Sequence, residues 1–351
     1  MASVVGIEVV GVTKGLMALP EVALAMLQGG AKGLADSRLE NLRRLKEGGL
    51  RTTRLLLRVP RLSRVTEVVE LADLSLNSEV AVIKALDQVS QSRKRKHGVI
   101  LMVDLGDLRE GVWPDDLGSV LKEIKQLRWA QVVGLGANFA CYGGVLPTPD
   151  KMERLLSLKK EAEKILDRPI PILSAGNSSS LSFLLRRQIP FGLTQLRVGE
   201  GILLGRESTR REPIPSTFQD AFVVVAEVIE LKRKPSIPVG EIGLDAFGRT
   251  PQFEDRGLRK RAILAIGRQD VVPEGLLPLD RGVRILGASS DHMVIDVTDL
   301  NRSLAVGDEL SFLPNYAALL AAVTSPYVSE VIVGEKEEGR RNQKVAASFT
   351  M

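Results

Sequence analysis

Three short stretches place chemically active residue types at the ends of apolar runs. VVGIEVVGVTKGLM is mostly Val, Ile and Gly until Lys14. A lysine at the end of a buried strand can be partly desolvated, which favours the neutral amine, and a neutral amine can form a Schiff base with a carbonyl. In SAGNSSSL, the residues Gly176, Asn177 and Ser178 lead straight into a helix start. Backbone N–H groups, a hydroxyl and the helix dipole suit a phosphate there. In QLRVGEGILLG, Gly199 and Gly201 leave backbone amides uncovered after an inward-facing Arg197. Taken singly, each has an ordinary structural explanation: a surface lysine past a strand, or plain helix capping.

The elements that must position these groups can be read from the pattern. Apolar, β-branched runs lie at Val4–Thr13, Lys32–Ala35, Thr53–Val59, Leu71–Leu76, Val99–Asp104, Gln131–Ala137, Ile170–Ser174 and Thr194–Val198. They are continuous rather than alternating, as in parallel strands covered on both faces. Helical patterns separate them. LPEVALAMLQGG starts after Pro20, DSRLENLRRLKEGG carries Ser37 and Glu40 at capping-box spacing, and NSEVAVIKALDQV offers Asn77 or Ser78 as a cap. TPDKMERLLSLKKEAEKILD is the longest amphipathic stretch.

Eight evenly spaced strands with helices between them predict a (β/α)8 barrel over residues 1–212, in preference to an open doubly wound sheet. In a closed barrel the first and last strands are neighbours, and phosphate sites often follow strands seven and eight. A lysine beside an anion site calls for a phosphorylated aldehyde as cofactor. From Pro213 the texture changes to antiparallel strands with turns, predicting a β-rich domain over 213–340 and a mobile, charged tail over 341–351. NYAALLAAV reads as a short helix in either the domain core or a subunit seam.

Composition narrows the classes. The chain has 351 residues, 26% charged and 44% hydrophobic, and a net charge of +5 that mildly suits an anionic ligand. One cysteine, Cys141, excludes a disulfide framework, and with only His97 and His292 no metal site is expected. The basic run SRKRKHG lacks interleaved aromatics and reads as a solvated turn, not a nucleic-acid patch. There is no membrane-length run and no secretory signal, so a cytoplasmic chain without a membrane partner is expected.

The motifs VGVTKG, GLADSRLENL, NFACYGGVLPTP, GNSSSL, QLRVGEGILLG, GLDAFGR, RAILAIGRQDV, GASSDHMVIDVTD and NYAALLAAVTSPYV together resemble the fold-type-III pyridoxal-phosphate enzymes of the alanine racemase group, and within it the ornithine racemase branch. The resemblance spans nearly the whole chain. It implies a pyridoxal 5'-phosphate-dependent racemase interconverting L- and D-forms of ornithine or another basic amino acid. Lys14 would carry the cofactor and act as base on one face of Cα. Ser178, beside Asn177, would contact the phosphate with the amides near Gly199 and Glu200. Arg197 would face the pyridine nitrogen and keep it unprotonated, which limits side reactions such as transamination. Arg109, five residues after Asp104, would lie near the cofactor hydroxyl and the substrate carboxylate. Asp291 and His292 match the stretch that a partner subunit contributes, implying a homodimer.

The match departs from the alanine-specific pattern at the second base. Leu244 stands where those enzymes place a tyrosine, Asn138 matches its supporting histidine, and Met102 matches a lysine that some relatives carbamylate. Inversion needs an acid–base group on the opposite face. Asp291 and His292 rank first for it, ahead of Cys141, Tyr142 and Asp245, and Asp291 or Glu200 would receive the side-chain amine. Relatives also carry a strand and helix before the lysine-bearing strand. This sequence starts almost on that strand: either the start is short, which would leave one barrel end less supported, or the real start lies upstream. Two other readings of the scaffold are weaker: another pyridoxal-phosphate reaction (decarboxylase, aldolase or dehydratase), and a homeostasis protein without turnover. Decarboxylases of this fold carry a Cys-Asp pair in the C-terminal domain, and no cysteine follows Cys141. Zinc-assisted dehydratases need His and Cys ligands that are missing here. Non-catalytic pyridoxal-phosphate homeostasis proteins are single barrels, unlike this chain.

Overall fold

The eight apolar runs form eight strands: β1 (Glu8–Val12), β2 (Gly33–Asp36), β3 (Thr53–Leu56), β4 (Leu74–Asn77), β5 (His97–Met102), β6 (Ala130–Ala137), β7 (Ile172–Ala175) and β8 (Gln195–Val198). In the computed structural model, which describes residues 6–186 and 188–333 and the backbone of Ala347–Thr350, they pair in order and in parallel into a closed barrel. Closure joins β8 to β1, with Val10 opposite Arg197 and Gly11 opposite Val198. Val10, Val12, Ala35, Leu55, Leu76, Ile100 and Met102 form one buried apolar cluster.

Helices α1 (Pro20–Gln28), α2 (Leu39–Glu47), α3 (Val65–Leu71), α4 (Val80–Ser92), α5 (Leu117–Ile124), α6 (Pro149–Leu166), α7 (Leu181–Leu185) and α8 (Glu200–Leu203) fill the connections. Two expected caps do not form. The N-cap of α2 is Arg38, with no side-chain cap. Asp36, the buried last residue of β2, instead accepts from Arg38 N at 2.9 Å and Asn41 Nδ2 at 3.0 Å, and Glu40 turns out to Arg64 at 3.0 Å. Asn77 ends β4 and donates to Ser75 Oγ at 2.8 Å, so α4 starts after Glu79 without a side-chain cap. A buried carboxylate or amide at a strand end is satisfied by its nearest partners before it can serve a helix. Thr148 does cap α6, accepting from Lys151 N at 3.4 Å. The basic run is a turn: Arg93 pairs with Glu70 and Arg95 with Asp73.

The second compact unit runs Phe218–Met351 and the first Met1–Thr217. Residues 213–217 hydrogen-bond back to the barrel side, Ile214 N to Gly205 O at 2.8 Å. The long β9 (Val223–Pro235) centres an antiparallel sheet with β10 (Leu258–Leu264), β11 (Leu276–Pro278), β12 (Arg284–Ala288), β13 (Met293–Asp296) and β14 (Glu309–Pro314), in the order β11-β14-β9-β10-β13-β12. Helix α9 (Tyr316–Thr324) packs Ala318 and Ala322 into the same core as Val224, Leu264, Ile295 and Phe312, so NYAALLAAV belongs to the core of this unit. Strand β15 (Ser329–Ile332) pairs with β16 (Ala347–Thr350), which therefore turns part of the expected tail into strand; 341–346 and Met351 lie outside the described residues. Among the described residues no helix is long and apolar enough to cross a membrane.

His97 starts β5, is 2% exposed, and its Nε2 lies 2.7 Å from Ser75 Oγ. Burial, helped by the Arg95 charge, lowers its pKa from 6.5 to about 4. Below pH 6.5 the unfolded chain takes up a proton that the folded chain refuses. Folding stability is therefore complete above 6.5 and declines as the pH falls towards 4, by about 3 kcal/mol. Urea midpoints at pH 7 and pH 4.5 should differ strongly for the native chain and far less for His97→Gln; equal pH dependence in both would reject this origin.

Candidate active site

Lys14 opens a 3-10 turn directly after β1, where Thr13 anchors the chain. Thr13 N donates to Ala35 O at 2.9 Å and Thr13 Oγ1 to Asp36 Oδ2 at 2.7 Å. Burial raises the Asp36 pKa against the opposing hydrogen bonds from Thr13, Arg38 and Asn41. Met17 and the buried Ala18 follow with φ of 47° and 56°. Two consecutive non-glycine residues in the left-handed region mark a turn held by its surroundings. The Lys14 side chain is exposed, and its amine has no ion pair among the described residues.

The cradle lies one strand away. Ser178, 3% exposed, sits at the start of the 3-10 turn after β7. Its Oγ accepts from Gly199 N at 3.3 Å and Gly201 N at 3.1 Å. With both acceptor positions used, its own proton is left for an anion. A Cβ on Gly199 would stand 3.2 Å from Val12 Cβ, so the cradle abuts the strand that leads to Lys14. Asn177 fixes the approach, accepting from Ser179 N at 2.8 Å and donating to Phe139 O at 2.9 Å and Cys141 Sγ at 3.1 Å. Gly176 has φ +99°, and a Cβ there would stand 2.6 Å from Ser180 Oγ, so both conformation and space require glycine. Glu200 is largely covered; burial raises its pKa, partly offset by Arg211 at 3.8 Å.

Arg197 is 3% exposed. Nη1 donates to Ser174 O and Oγ, and Nη2 to Ala137 O at 2.9 Å and Asn138 Oδ1 at 2.8 Å. All four acceptors are neutral, and the fifth donor, Nε–H, has no acceptor among the described residues. Burial lowers the pKa to about 10, with Glu110 and Cys141 opposing and Arg109 adding to the drop, so the group stays charged at neutral pH. Arg109 is gripped by the Glu110 carboxylate through Nε and Nη2. Burial alone would lower its pKa, but the Glu110 hydrogen bonds and the charges of Cys141, Glu110 and Asp107 raise it. Glu110 Oε1 also accepts from Asn138 Nδ2 at 2.6 Å.

The barrel unit thus brings together Lys14, Arg109, Asn177, Ser178, Arg197, Gly199 and Glu200. Asp291 and His292 belong to the second unit, both exposed in the turn between β12 and β13. Asp291 Oδ1 accepts from Gln269 Nε2, and His292 O from Ser289 N at 2.9 Å. Of the other acid–base candidates, Asp245 is tied into a turn, accepting from Phe247 N and Arg249 N, bonds that lower its pKa. Tyr142 is 78% exposed. Cys141 stands on the loop after β6, whose amides at Cys141, Tyr142 and Val145 all donate to the buried Asp107. Sequence reading missed Glu110 and Asp107, because nothing local distinguishes a carboxylate that bridges distant segments. No group of three or more His, Cys, Asp or Glu among the described residues is placed to hold a metal.

A closed barrel with an amine after its first strand and an anion cradle after its last two defines a class of cofactor-dependent barrel enzymes. The alanine racemase N-terminal-domain family matches residues 4–206. The chain is 46% identical over 331 residues to a lysine racemase of Thermotoga maritima, covering 94% of this chain and 92% of that one. It is 47% identical over 300 residues to an ornithine racemase of Acetoanaerobium sticklandii, covering 85% and 84%. Among solved structures, alanine racemase of Clostridium difficile 630 superposes with a TM-score of 0.66 at 17% identity over 91% of this chain and 87% of that one. The D-threonine aldolase of Filomicrobium marinum gives 0.69 at 15% over 95% and 85%, so these two speak to the fold alone. The chain belongs to the alanine racemase family and is a pyridoxal-phosphate-dependent amino-acid racemase.

The residues fit that cofactor. The Ser178 hydroxyl, whose oxygen is held by the Gly199 and Gly201 amides, keeps its proton as a donor of the kind a phosphate needs, and the unused Arg197 Nε–H is a donor of the kind a ring nitrogen needs. Replacing Gly176 by alanine should lower folding stability by about 1–3 kcal/mol through its positive φ and the Ser180 clash. It should also weaken pyridoxal phosphate retention. Denaturant midpoints and cofactor absorbance after gel filtration check both.

Proposed function

We propose that this racemase acts on lysine and ornithine, with Lys14, Ser178 and Arg197 as the centre of its site. The observation that carries the assignment is that the turn bearing Lys14 follows β1, the strand paired with β8 and set against Gly199 at Val12, in a chain 46% and 47% identical to lysine and ornithine racemases. Pyridoxal phosphate, when bound, supplies an electron sink for the pair left at Cα when its proton departs.

The chain's own residues do the rest. Lys14 carries the cofactor and moves the Cα proton on one face. Ser178, its oxygen held by the amides of Gly199 and Gly201 and its turn capped by Asn177, would hold the phosphate together with the amide of Glu200. Arg197, still a cation at neutral pH, would offer its Nε–H to the ring nitrogen and keep that nitrogen unprotonated. Arg109 would serve the cofactor hydroxyl and the substrate carboxylate.

The proton on the opposite face is assigned to Asp291 and His292 of a second copy of the chain. Their exposure supports this, as does the apolar surface of the connection between β9 and β10, where Val239 is 93% and Leu244 70% exposed, consistent with a homodimer. Glu200, beside the cradle, is assigned to the side-chain amine of the substrate.

In heavy water with pyridoxal phosphate, L-lysine and L-ornithine should lose their Cα–H signal while the D-forms appear, and Lys14→Ala should do neither. Exchange without D-product would reject the assignment of the opposite face. Racemisation of alanine in preference to both basic amino acids would reject the substrate. Glu200→Gln should raise KM for lysine and ornithine by about tenfold, with a smaller effect on neutral amino acids.

A further inference from the structure

We infer that Glu110 is a positioning residue for both arginines of the site, an inference that rests on the racemase reading above. Four observations lead to it.

The loop that carries Glu110 is pinned. After β5 the chain returns on itself, with Asp104 N donating to Val112 O at 3.0 Å and Val112 N to Met102 O at 2.8 Å. Asp104 Oδ1 accepts from Gly106 N at 2.8 Å and Leu108 N at 3.2 Å. Gly111, next to Glu110, has φ +149°, and a Cβ there would stand 2.4 Å from Asp104 N. The backbone therefore lies against Val103 and Asp104, just after β5, as only glycine permits.

The Glu110 carboxylate is shared. It takes the fork of Arg109 and also accepts from Asn138 Nδ2 at 2.6 Å. The Asn138 amide is thus oriented from both ends, its donor at Glu110 and its acceptor 2.8 Å from Arg197 Nη2. One carboxylate sets the direction of one guanidinium directly and of the other through a single amide.

The charges are coupled. Glu110 acts on the charge of both guanidinium groups, and Asp107 acts on Arg109 as well.

A neutral isostere cannot do the same work. Glutamine has one acceptor and one donor group where glutamate has two acceptors. It either loses part of the Arg109 fork or presents a donor to the Asn138 donor. The second outcome turns Asn138 over and sets its NH2 against Arg197.

The test compares wild-type, Glu110→Gln, Glu110→Asp and Asn138→Ala holoenzymes by cofactor absorbance against pH, by kcat and KM for lysine, and by melting temperature. Loss of a negative charge disfavours the protonated form of the bound chromophore, so the Glu110→Gln absorbance midpoint should move to lower pH by about one unit. Its kcat should fall by about tenfold or more. Glu110→Asp should return the midpoint close to wild type while kcat stays depressed, because charge is restored and reach is not. Asn138→Ala should slow turnover with the Arg109–Glu110 pair intact, and it decides the matter should Glu110→Gln fail to fold. A Glu110→Gln enzyme with a lower melting temperature but unmoved midpoint and kcat within about twofold would overturn the inference. So would an Asn138→Ala enzyme with wild-type kcat. A wild-type chain that binds no pyridoxal phosphate would overturn the functional reading itself, which separates the two failures.

Discussion

Closing the barrel between β1 and β8 is the constraint on which the site depends. The parallel register sets Val10 against Arg197 and Gly11 against Val198, so the turn carrying Lys14 and the loop carrying Gly199 leave the barrel side by side. Neither strand alone makes a site. An amine two residues past one strand and two amides just past another become one constellation only when the sheet meets itself. A Cβ on Gly199 would crowd Val12 at 3.2 Å, which shows how little room the seam leaves.

Inside that seam the chain holds a guanidinium almost without solvent. A buried cation is costly unless hydrogen-bonded. Arg197 is surrounded by neutral dipoles from β6 and β7 rather than by a carboxylate, and its pKa falls only to about 10. It remains a cation at neutral pH, yet one whose charge is not cancelled by contact. Arg109 has the opposite arrangement, with a carboxylate in its fork. The two are joined by Glu110 and Asn138, which makes the mouth of the barrel one electrostatic unit.

Three positions where the chain departs from the alanine-specific pattern have distinct physical settings. Met102 is fully buried in the barrel core. Asn138 is a bridging amide, a task that a side chain with a donor and an acceptor performs without titrating. Leu244 is exposed on the second unit. Arg109 takes its carboxylate partner from its own neighbour in sequence, Glu110.

The sequence by itself determined the strands, the helices between them and the identity of the strand-end residues. Continuous β-branched runs such as VVGIEVV and HGVILM and amphipathic runs such as KMERLLSLKKEAEKIL depend on interactions a few residues apart, and these are local. Lys14, Ser178 and Arg197 stood out because each ends or follows such a run. Only the tertiary structure decided that Asp36, not Ser37, meets the backbone at the start of α2, and that NYAALLAAV packs into the core of its own unit. Only the tertiary structure decided, too, that Glu110 reaches Asn138 across 28 positions and Asn138 reaches Arg197 across 59. Propensity and periodicity act over one or two turns of chain. A hydrogen bond between distant segments exists only after barrel closure has brought those segments within 3 Å.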